Sequence, residues 1–95
     1  MNRQASYLGI ESGGTRTTAL LDPGSGQPCL RAEFGPGNLR LLDDDALVRH
    51  FTAIAALSQQ ARSALGGLGI GMAGARTEAD RQRIRASAAK VWPNV

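Results

Sequence analysis

The chain contains little cysteine: Cys29 is the single one among its 95 residues. One thiol excludes a disulfide within the chain and a metal cluster built on its cysteines alone. Cys29 lies in a run that tends to be apolar, so we expect a buried and unreactive thiol at this position.

Aromatic residues are also scarce, at 4% of the chain. The net charge is +3 and the pI is near 10.0, values that raise the question of nucleic-acid binding. Five of the eleven basic residues fall in the last twenty positions: Arg76, Arg81, Arg83, Arg85 and Lys90. No aromatic residue is interleaved among them for base stacking, so we expect a solvated helix face and no nucleic-acid partner.

The sequence also has no long hydrophobic run. A membrane-spanning helix needs roughly 20 consecutive apolar residues, and the apolar stretch within residues 1–12 is too short for a secretory signal. We therefore expect a cytoplasmic protein with no membrane partner. With 42% hydrophobic and 20% charged residues, the chain suffices for one small globular domain.

The most informative stretch is YLGIESGGTRTTALL, residues 7–21. An apolar run ends in an acid, Glu11, and residues 12–15 then turn the chain into a second β-prone run. Two adjacent glycines permit positive φ and let an anion approach the main chain. Backbone amides and a threonine hydroxyl suit phosphate oxygens, and a nearby carboxylate suits hydrated Mg²⁺.

The same spacing is also that of an ordinary β-hairpin turn, so it does not identify a phosphate site by itself. Two familiar nucleotide motifs do not fit. The P-loop needs Lys-Ser/Thr after its second glycine, and the dinucleotide fingerprint needs a helix after its glycines, whereas residues 17–21 are typical of a strand.

The first part of the chain predicts three strands, over residues 6–11, 16–22 and 28–34. Residues 22–26, with the sequence DPGSG, form a turn between the last two, because proline presets φ and glycine permits left-handed backbone. Strands joined in this way would form an antiparallel meander.

The remainder predicts a helix, a strand and a second helix. The first helix begins at the acids after position 42, which suit the positive end of its dipole, and is expected to end at Gly66-Gly67. Its apolar stripe consists of Leu47, Phe51, Ile54, Ala61 and Leu65. Residues 68–73 are typical of a buried strand. Thr77 and Asp80 resemble a capping box that opens the last helix, which ends before the final proline.

The pattern apolar-Gly-apolar-acid-x-Gly-Gly-Thr-x-Thr resembles the first phosphate loop of the actin-like ATPase and sugar-kinase superfamily. More narrowly, it is similar to the N-acetylglucosamine kinase and BadF/BadG/BcrA/BcrD-type ATPase family. The segments GPGNLRLL (35–42) and LGIGMAGA (68–75) agree with that family in order and rough spacing. The resemblance covers nearly the whole chain, but only the opening of such proteins, which have several hundred residues and two domains around a nucleotide cleft.

The resemblance implies an α/β fold, and that residues 1–95 are a truncated N-terminal part of the first actin-like ATPase (ribonuclease H-like) domain. The element order would be β-β-β-α-β-α, with an antiparallel meander, one parallel strand and helices packed on the sheet. The next strand of the family fold would follow the last helix, which leaves residues 68–73 as a sheet edge. That edge is apolar and carries no charge or proline, so we expect homo-association through Leu68–Ala73 unless the remainder of the domain covers it.

The resemblance also implies ligands, namely ATP with Mg²⁺ and a small sugar, and the residues that contact them. Phosphate-binding residues would be Ser12, Gly13, Gly14 and Thr15. Ser12 stands where the family commonly has glycine. Glu11 would hold the metal through water, and Asn38 and Gly74 would contact the sugar. A loop asparagine is also commonly a turn or cap residue, which is the alternative for Asn38.

The catalytic acid is missing from its family position. Family kinases place an aspartate about two residues past the glycine that Gly74 matches, where it acts as general base. This chain has Arg76 instead, and a guanidinium stays protonated. Asp80 or Glu78 could substitute, although both also fit acids at a helix N-terminus. His50, on a charged helix, is interpreted as a surface or boundary residue and not a ligand.

Three functional hypotheses follow. The first is an ATP-dependent amino-sugar kinase, for N-acetylglucosamine or glucosamine, that transfers the γ-phosphoryl group to a sugar hydroxyl; this fragment alone would be inactive. The second is a BadF-type ATPase that activates a partner enzyme, for which further cysteines would be expected. The third is a truncated, non-catalytic domain that only binds a partner.

Overall fold

The computed structural model describes residues 5–24, 26–61 and 64–95. The elements are β1 (Ser6–Ser12), β2 (Thr17–Asp22), β3 (Leu30–Phe34), α1 (Asp44–Ser58), β4 (Leu65–Met72) and α2 (Glu78–Val91), with a single 3₁₀ turn at Leu39–Leu41 before α1. The predicted order β-β-β-α-β-α is confirmed. Residues 1–4, part of the stretch considered as a secretory signal, and Ser25 of the predicted turn lie outside the described residues.

The strands form one mixed sheet in the order β3-β2-β1-β4. β1 pairs antiparallel with β2, and β2 pairs antiparallel with β3, which is the predicted meander. β4 lies parallel to β1 on the opposite side, with Ser12 of β1 aligned to Met72. Because β1 and β4 are parallel, the loops that follow them leave the sheet at the same end.

The core lies between one face of the sheet and the two helices. Along β1 every second residue is buried, from Ser6 through Ser12, as expected for a strand with one covered face. The helices pack on each other, and the rings of Phe51 and Trp92 lie 5.8 Å apart there. Trp92 Nε1 donates a hydrogen bond to Ser58 Oγ at 3.2 Å. No helix in the part of the chain that the structure describes is long and apolar enough to span a lipid bilayer.

The end of the first helix differs from the prediction. α1 stops at Ser58, so Ala61 lies beyond it, and the glycine pair 66–67 belongs to β4. These glycines are needed for close strand approach: a Cβ at Gly67 would lie 2.7 Å from Tyr7 Cδ1, and one at Gly66 would lie 2.5 Å from Ala5 Cβ. Glycines that suit a helix C-terminus therefore serve a crowded strand pair here.

The expectation for Cys29 is wrong. β3 begins at Leu30, two residues later than predicted, and the Cys29 thiol is exposed in the preceding connection. The turn into that connection does use glycine as expected, since Gly24 and Gly26 have φ of 77° and 71°. Cys29 lies outside the strand ladder, and therefore no sheet face covers it.

β4 is an edge strand of the sheet, as predicted, and it contains neither charge nor proline, but it spans Leu65–Met72 rather than residues 68–73. Ala73 lies outside the edge, because its N–H and C=O are hydrogen-bonded to Ser12 and Leu39. We predict that a polypeptide of residues 1–95 self-associates through this edge. Light scattering across a concentration series should show the apparent mass rising. Gly69→Lys should hold the chain closer to monomer, because the position is exposed and a Cβ there meets nothing within 4 Å.

The matched control is Gly35→Lys, which adds the same charge in open space outside the strands. Ile70→Lys would also charge the edge, but Ile70 packs against the core. A strictly monomeric wild type, or equal behaviour of the two glycine variants, would contradict association through β4.

Candidate functional site

The three segments that carry the family resemblance meet at one end of the sheet. Gly37 N–H donates to Gly13 O, Leu39 N–H donates to Ala73 O, and Ala73 N–H donates to Ser12 O, each at 2.8 Å. These bonds join the turn 13–16, the loop 35–38 and the loop 73–76. We call these three segments the loop junction.

The turn 13–16 presents unpaired backbone donors to solvent. Gly13 N–H donates to Arg16 O at 2.9 Å and is therefore committed to closing the turn. The N–H groups of Gly14, Thr15 and Arg16 donate to no described residue, and all three residues are exposed. Successive backbone N–H groups in a turn are suited to the oxygens of an anion.

The two glycines of this turn act through their lack of a side chain rather than through positive φ. Contrary to expectation, neither Gly13 nor Gly14 occupies the left-handed region. A Cβ at Gly13 would lie 3.0 Å from Arg16 O, whereas one at Gly14 would meet nothing within 4 Å. The position with positive φ in the loop junction is Gly74, at 85°. Gly13 is thus required by the turn, and Gly14 only keeps its surface open.

Beside the turn lies a group of three side chains, the buried Ser12 and Thr17 and the half-buried His50, which we call the polar cluster. Ser12 and Thr17 are 2% and 0% exposed and lie opposite each other at the ends of β1 and β2. His50 Nε2 lies 2.9 Å from Ser12 Oγ and 3.2 Å from Thr17 Oγ1. Burial lowers the pKa of His50 below its usual 6.5, so its ring is neutral near pH 7.

The sequence interpretation of His50 as a boundary residue is right about its burial, since the side chain is half-buried. It missed the hydrogen bonds to β1 and β2. The available signal was helical spacing: His50 follows the buried Leu47 by three residues and precedes the buried Ile54 by four. This spacing turns the ring toward the covered side of α1.

Asn38 and Gly74, the predicted sugar-contacting residues, lie against each other in the loop junction. A Cβ at Gly74 would overlap Asn38 Oδ1. That oxygen accepts from Arg40 N–H at 2.9 Å and caps the 3₁₀ turn. The cap that the sequence offered as an alternative is therefore present, and the Nδ2 group of Asn38 donates to no described residue.

Asp80 has the contacts of a helix-capping acid. Its Oδ2 accepts from the N–H groups of Arg76 and Thr77 at 2.9 and 3.1 Å and pairs with Arg40 Nη2 at 3.2 Å. Thr77 Oγ1 accepts from Asp80 N–H, which confirms the predicted capping box. The Arg76 N–H, followed by the other donors, holds the pKa of Asp80 below its usual 3.8. Such an acid is a weak proton acceptor near neutral pH.

Glu78, the other candidate base, is exposed on α2 and paired with arginines of the same helix. Its carboxylate lies 2.9 Å from Arg81 Nε and 3.1 Å from Arg85 Nη1. The hydrogen bonds from Arg81 and Arg85 hold the pKa of Glu78 below its usual 4.5. Both predicted candidates thus have partners that favour the ionised form.

Glu11 lies on the other face of the sheet, which no described helix covers. Its carboxylate sits over β4, because a Cβ at Gly71 would lie 2.8 Å from Glu11 Oε2. It borders a shallow trough of about 420 Å³ whose lining includes Gly9, Gly69 and Thr18. The described residues contain no group of three acids, histidines or cysteines placed to hold a metal. Mg²⁺ at Glu11 would therefore need phosphate oxygens and water as its other ligands, which is a common arrangement for this ion.

Comparison with other proteins adds no family assignment. The chain matches no family model and no curated protein sequence. The resemblance therefore rests on the chain's own segments, 7–21, 35–42 and 68–75, and the loop junction joins these three segments.

We predict that Asp80→Asn lowers the thermal midpoint slightly near pH 7. Asparagine can still accept the Arg76 and Thr77 N–H groups, so the variant chiefly removes the attraction to Arg40. Because the folded pKa of Asp80 is depressed, its charge stabilises the fold above the unfolded value of about 3.8, and that contribution is lost as pH falls through the folded pKa.

The difference in midpoint between wild type and Asp80→Asn should therefore shrink as the pH falls below 3.8, which thermal melts across the acid range can follow. Asp45→Asn is the control, because the exposed Asp45 side chain makes no hydrogen bond or ion pair with a described residue. A difference that stays constant from neutral to acid pH would contradict the role of the Asp80 charge.

Proposed function

We propose that the turn 13–16 binds the terminal phosphates of ATP, and that the chain is the phosphate-binding part of an ATP-dependent amino-sugar kinase of the actin-like ATPase type. The observation that carries the proposal is that three exposed residues in a row, Gly14, Thr15 and Arg16, have N–H groups that donate to no described residue. They stand where the family resemblance places a phosphate loop.

The chemistry suits what these residues supply. Phosphoryl transfer depends mainly on positioning and on neutralising charge at the phosphate oxygens. In the proposal, the free N–H groups and the Thr15 hydroxyl bind those oxygens, and Glu11 orients the metal through water. Mg²⁺, when bound, would neutralise charge on the β- and γ-phosphates.

The sugar would lie beside Asn38 and Gly74. Asn38 Oδ1 is committed to the Arg40 N–H, so the group left for a sugar hydroxyl is the Nδ2 donor. The proposal assigns no general base among the described residues, because Asp80 and Glu78 are both held by cationic and backbone donors. Within residues 1–95 the proposed role is binding and orientation, and a polypeptide of these residues alone should not turn over ATP.

The same observation favours one alternative. A BadF-type ATPase that drives a conformational change in a partner enzyme needs the phosphate-binding turn but no base for a sugar hydroxyl. ADP formation by the protein that contains this chain, measured together with inorganic phosphate, separates the two. ADP formation that requires an amino sugar and yields a phosphorylated sugar supports the kinase, whereas sugar-independent formation of ADP and inorganic phosphate supports the ATPase.

We predict that Gly14→Val weakens MgATP binding while leaving the fold intact. Gly14 lies outside the left-handed region and a Cβ there meets nothing within 4 Å, so the fold has room for the side chain. The branched side chain would cover the N–H groups beside it and should lower affinity by about tenfold or more, which is about 1.4 kcal/mol. Calorimetric titration and a thermal melt should be done on the same sample.

Ala56→Val is the control, since Ala56 is exposed on α1 and lies outside the loop junction. Gly13→Val should also harm binding, but it mixes binding with folding because its Cβ lies 3.0 Å from Arg16 O. Equal affinities for wild type and Gly14→Val would show that 13–16 is only a hairpin turn.

A further inference from the structure

We propose that His50 is a positioning residue of the phosphate-binding turn, acting through the proton on its Nε2 atom. The residue lies on α1 and makes no hydrogen bond to a described residue of the turn 13–16. It reaches instead the two buried hydroxyl groups that flank the turn, those of Ser12 and Thr17. The proposal deepens the proposed function and rests on it for the identity of the ligand.

The tautomer of His50 follows from counting protons in the polar cluster. Ser12 Oγ donates to Gly37 O, and Thr17 Oγ1 donates to Gly35 O, both at 2.9 Å. A hydroxyl has one proton, so neither has a second to give to His50. Both oxygens keep lone pairs, and His50 Nε2 must therefore be the donor. An unprotonated Nε2 would take a proton from one hydroxyl and remove the donor from one carbonyl.

The proton on His50 Nε2, shared between the two hydroxyl oxygens, thus completes the hydrogen bonding of the polar cluster. Ser12 Oγ and Thr17 Oγ1 lie 3.0 Å apart with Nε2 within reach of both. Two oxygens at this distance whose protons point elsewhere are held together by a donor between them. No buried side-chain nitrogen or oxygen in the described residues lacks a partner, which agrees with this assignment.

The polar cluster fixes the turn at its two ends. Ser12 and Thr17 are the last aligned pair of the β1–β2 ladder, so holding their side chains together holds the two ends of the turn. The carbonyl groups that accept from these hydroxyls, those of Gly35 and Gly37, belong to the loop 35–38. The Gly37 N–H in turn donates to Gly13 O. Fixing this pair therefore positions the turn and the loop that carries Asn38 together.

The fit at this point leaves no spare room. A Cβ at Gly37 would overlap Ser12 Oγ and lie 2.5 Å from His50 Nε2. A site that must offer three N–H groups in one arrangement gains affinity when that arrangement exists before the ligand arrives. His50 supplies this order from a neighbouring helix, without itself contacting phosphate.

The first test reads the tautomer directly. His50 is the one histidine in the sequence, so the imidazole ¹⁵N signals of the labelled chain are assigned without ambiguity. Near neutral pH we expect a protonated, pyrrole-type Nε2 and an unprotonated, pyridine-type Nδ1. The opposite tautomer would overturn the proposal.

The second test compares His50→Gln with His50→Leu. The glutamine amide can place an N–H donor near the Nε2 position, whereas leucine fills the space without a donor. Amide hydrogen exchange of Gly13 and Gly37, whose N–H groups donate to Arg16 O and Gly13 O, should speed up by about tenfold or more in His50→Leu and stay close to wild type in His50→Gln. Equal exchange in all three proteins, with all three folded by circular dichroism, would overturn the positioning role.

MgATP titration of the same proteins separates this inference from the proposed function. If wild type binds, His50→Leu should lose about tenfold in affinity and His50→Gln should retain most of it. If wild type does not bind while exchange still distinguishes the two variants, the ligand assignment fails and the ordering of the turn by His50 stands. If wild type binds and His50→Leu binds equally well, His50 does not position the site.

Discussion

Two buried hydroxyl groups, those of Ser12 and Thr17, set the constraint on which the arrangement of the site depends. Each must find partners, because a buried polar group left unpaired costs about 1–3 kcal/mol. Backbone carbonyls of Gly35 and Gly37 and the ring of His50 provide them. Satisfying two side chains therefore brings β1, β2, the loop 35–38 and α1 to one point.

The loop junction is the consequence of that convergence at the surface. Parallel β1 and β4 deliver their loops to the same end of the sheet, and three backbone hydrogen bonds join these loops to each other. The Gly13 N–H closes the turn, whereas the N–H groups of the next three, exposed residues donate to no described residue. A side chain would be tolerated at Gly14 but not at Gly37. The polar cluster is therefore tightly packed, whereas the surface of the turn 13–16 is open.

The sequence predicts the order of the elements well, because the signals involved are local; the parallel fourth strand was expected only from the family resemblance. Alternation along β1 and the Thr77–Asp80 capping box each lie within a few residues, and both are present. Gly66-Gly67 led to a wrong prediction of the end of α1, because a glycine pair suits a helix C-terminus and a crowded strand equally. The crowding comes from the Tyr7 ring on the neighbouring strand, which the local sequence around the glycines does not show. The His50–Ser12 hydrogen bond spans 38 positions, and no local pattern reports such a contact.

In the site too, features set by neighbouring residues were predictable from the sequence, and features set by residues distant in the chain were not. The turn 13–16 was predicted from its glycines, but which N–H groups remain unpaired depends on the Gly13–Arg16 bond. The ambiguity of Asp80 between base and cap also needed the fold, since Arg40 approaches it from 40 positions away. Proton-accepting chemistry therefore has less support among the described residues than anion binding.

The central claim is that the turn 13–16 binds phosphate through backbone N–H groups. The most direct measurement is a titration of the ¹⁵N-labelled chain with MgATP, followed by amide chemical shifts. Saturable changes should centre on Gly14, Thr15 and Arg16 and leave Tyr7 and Asp22, at the opposite end of the β1–β2 ladder, unchanged. No saturable change at the turn, or changes confined to the arginine-rich α2, would contradict the claim.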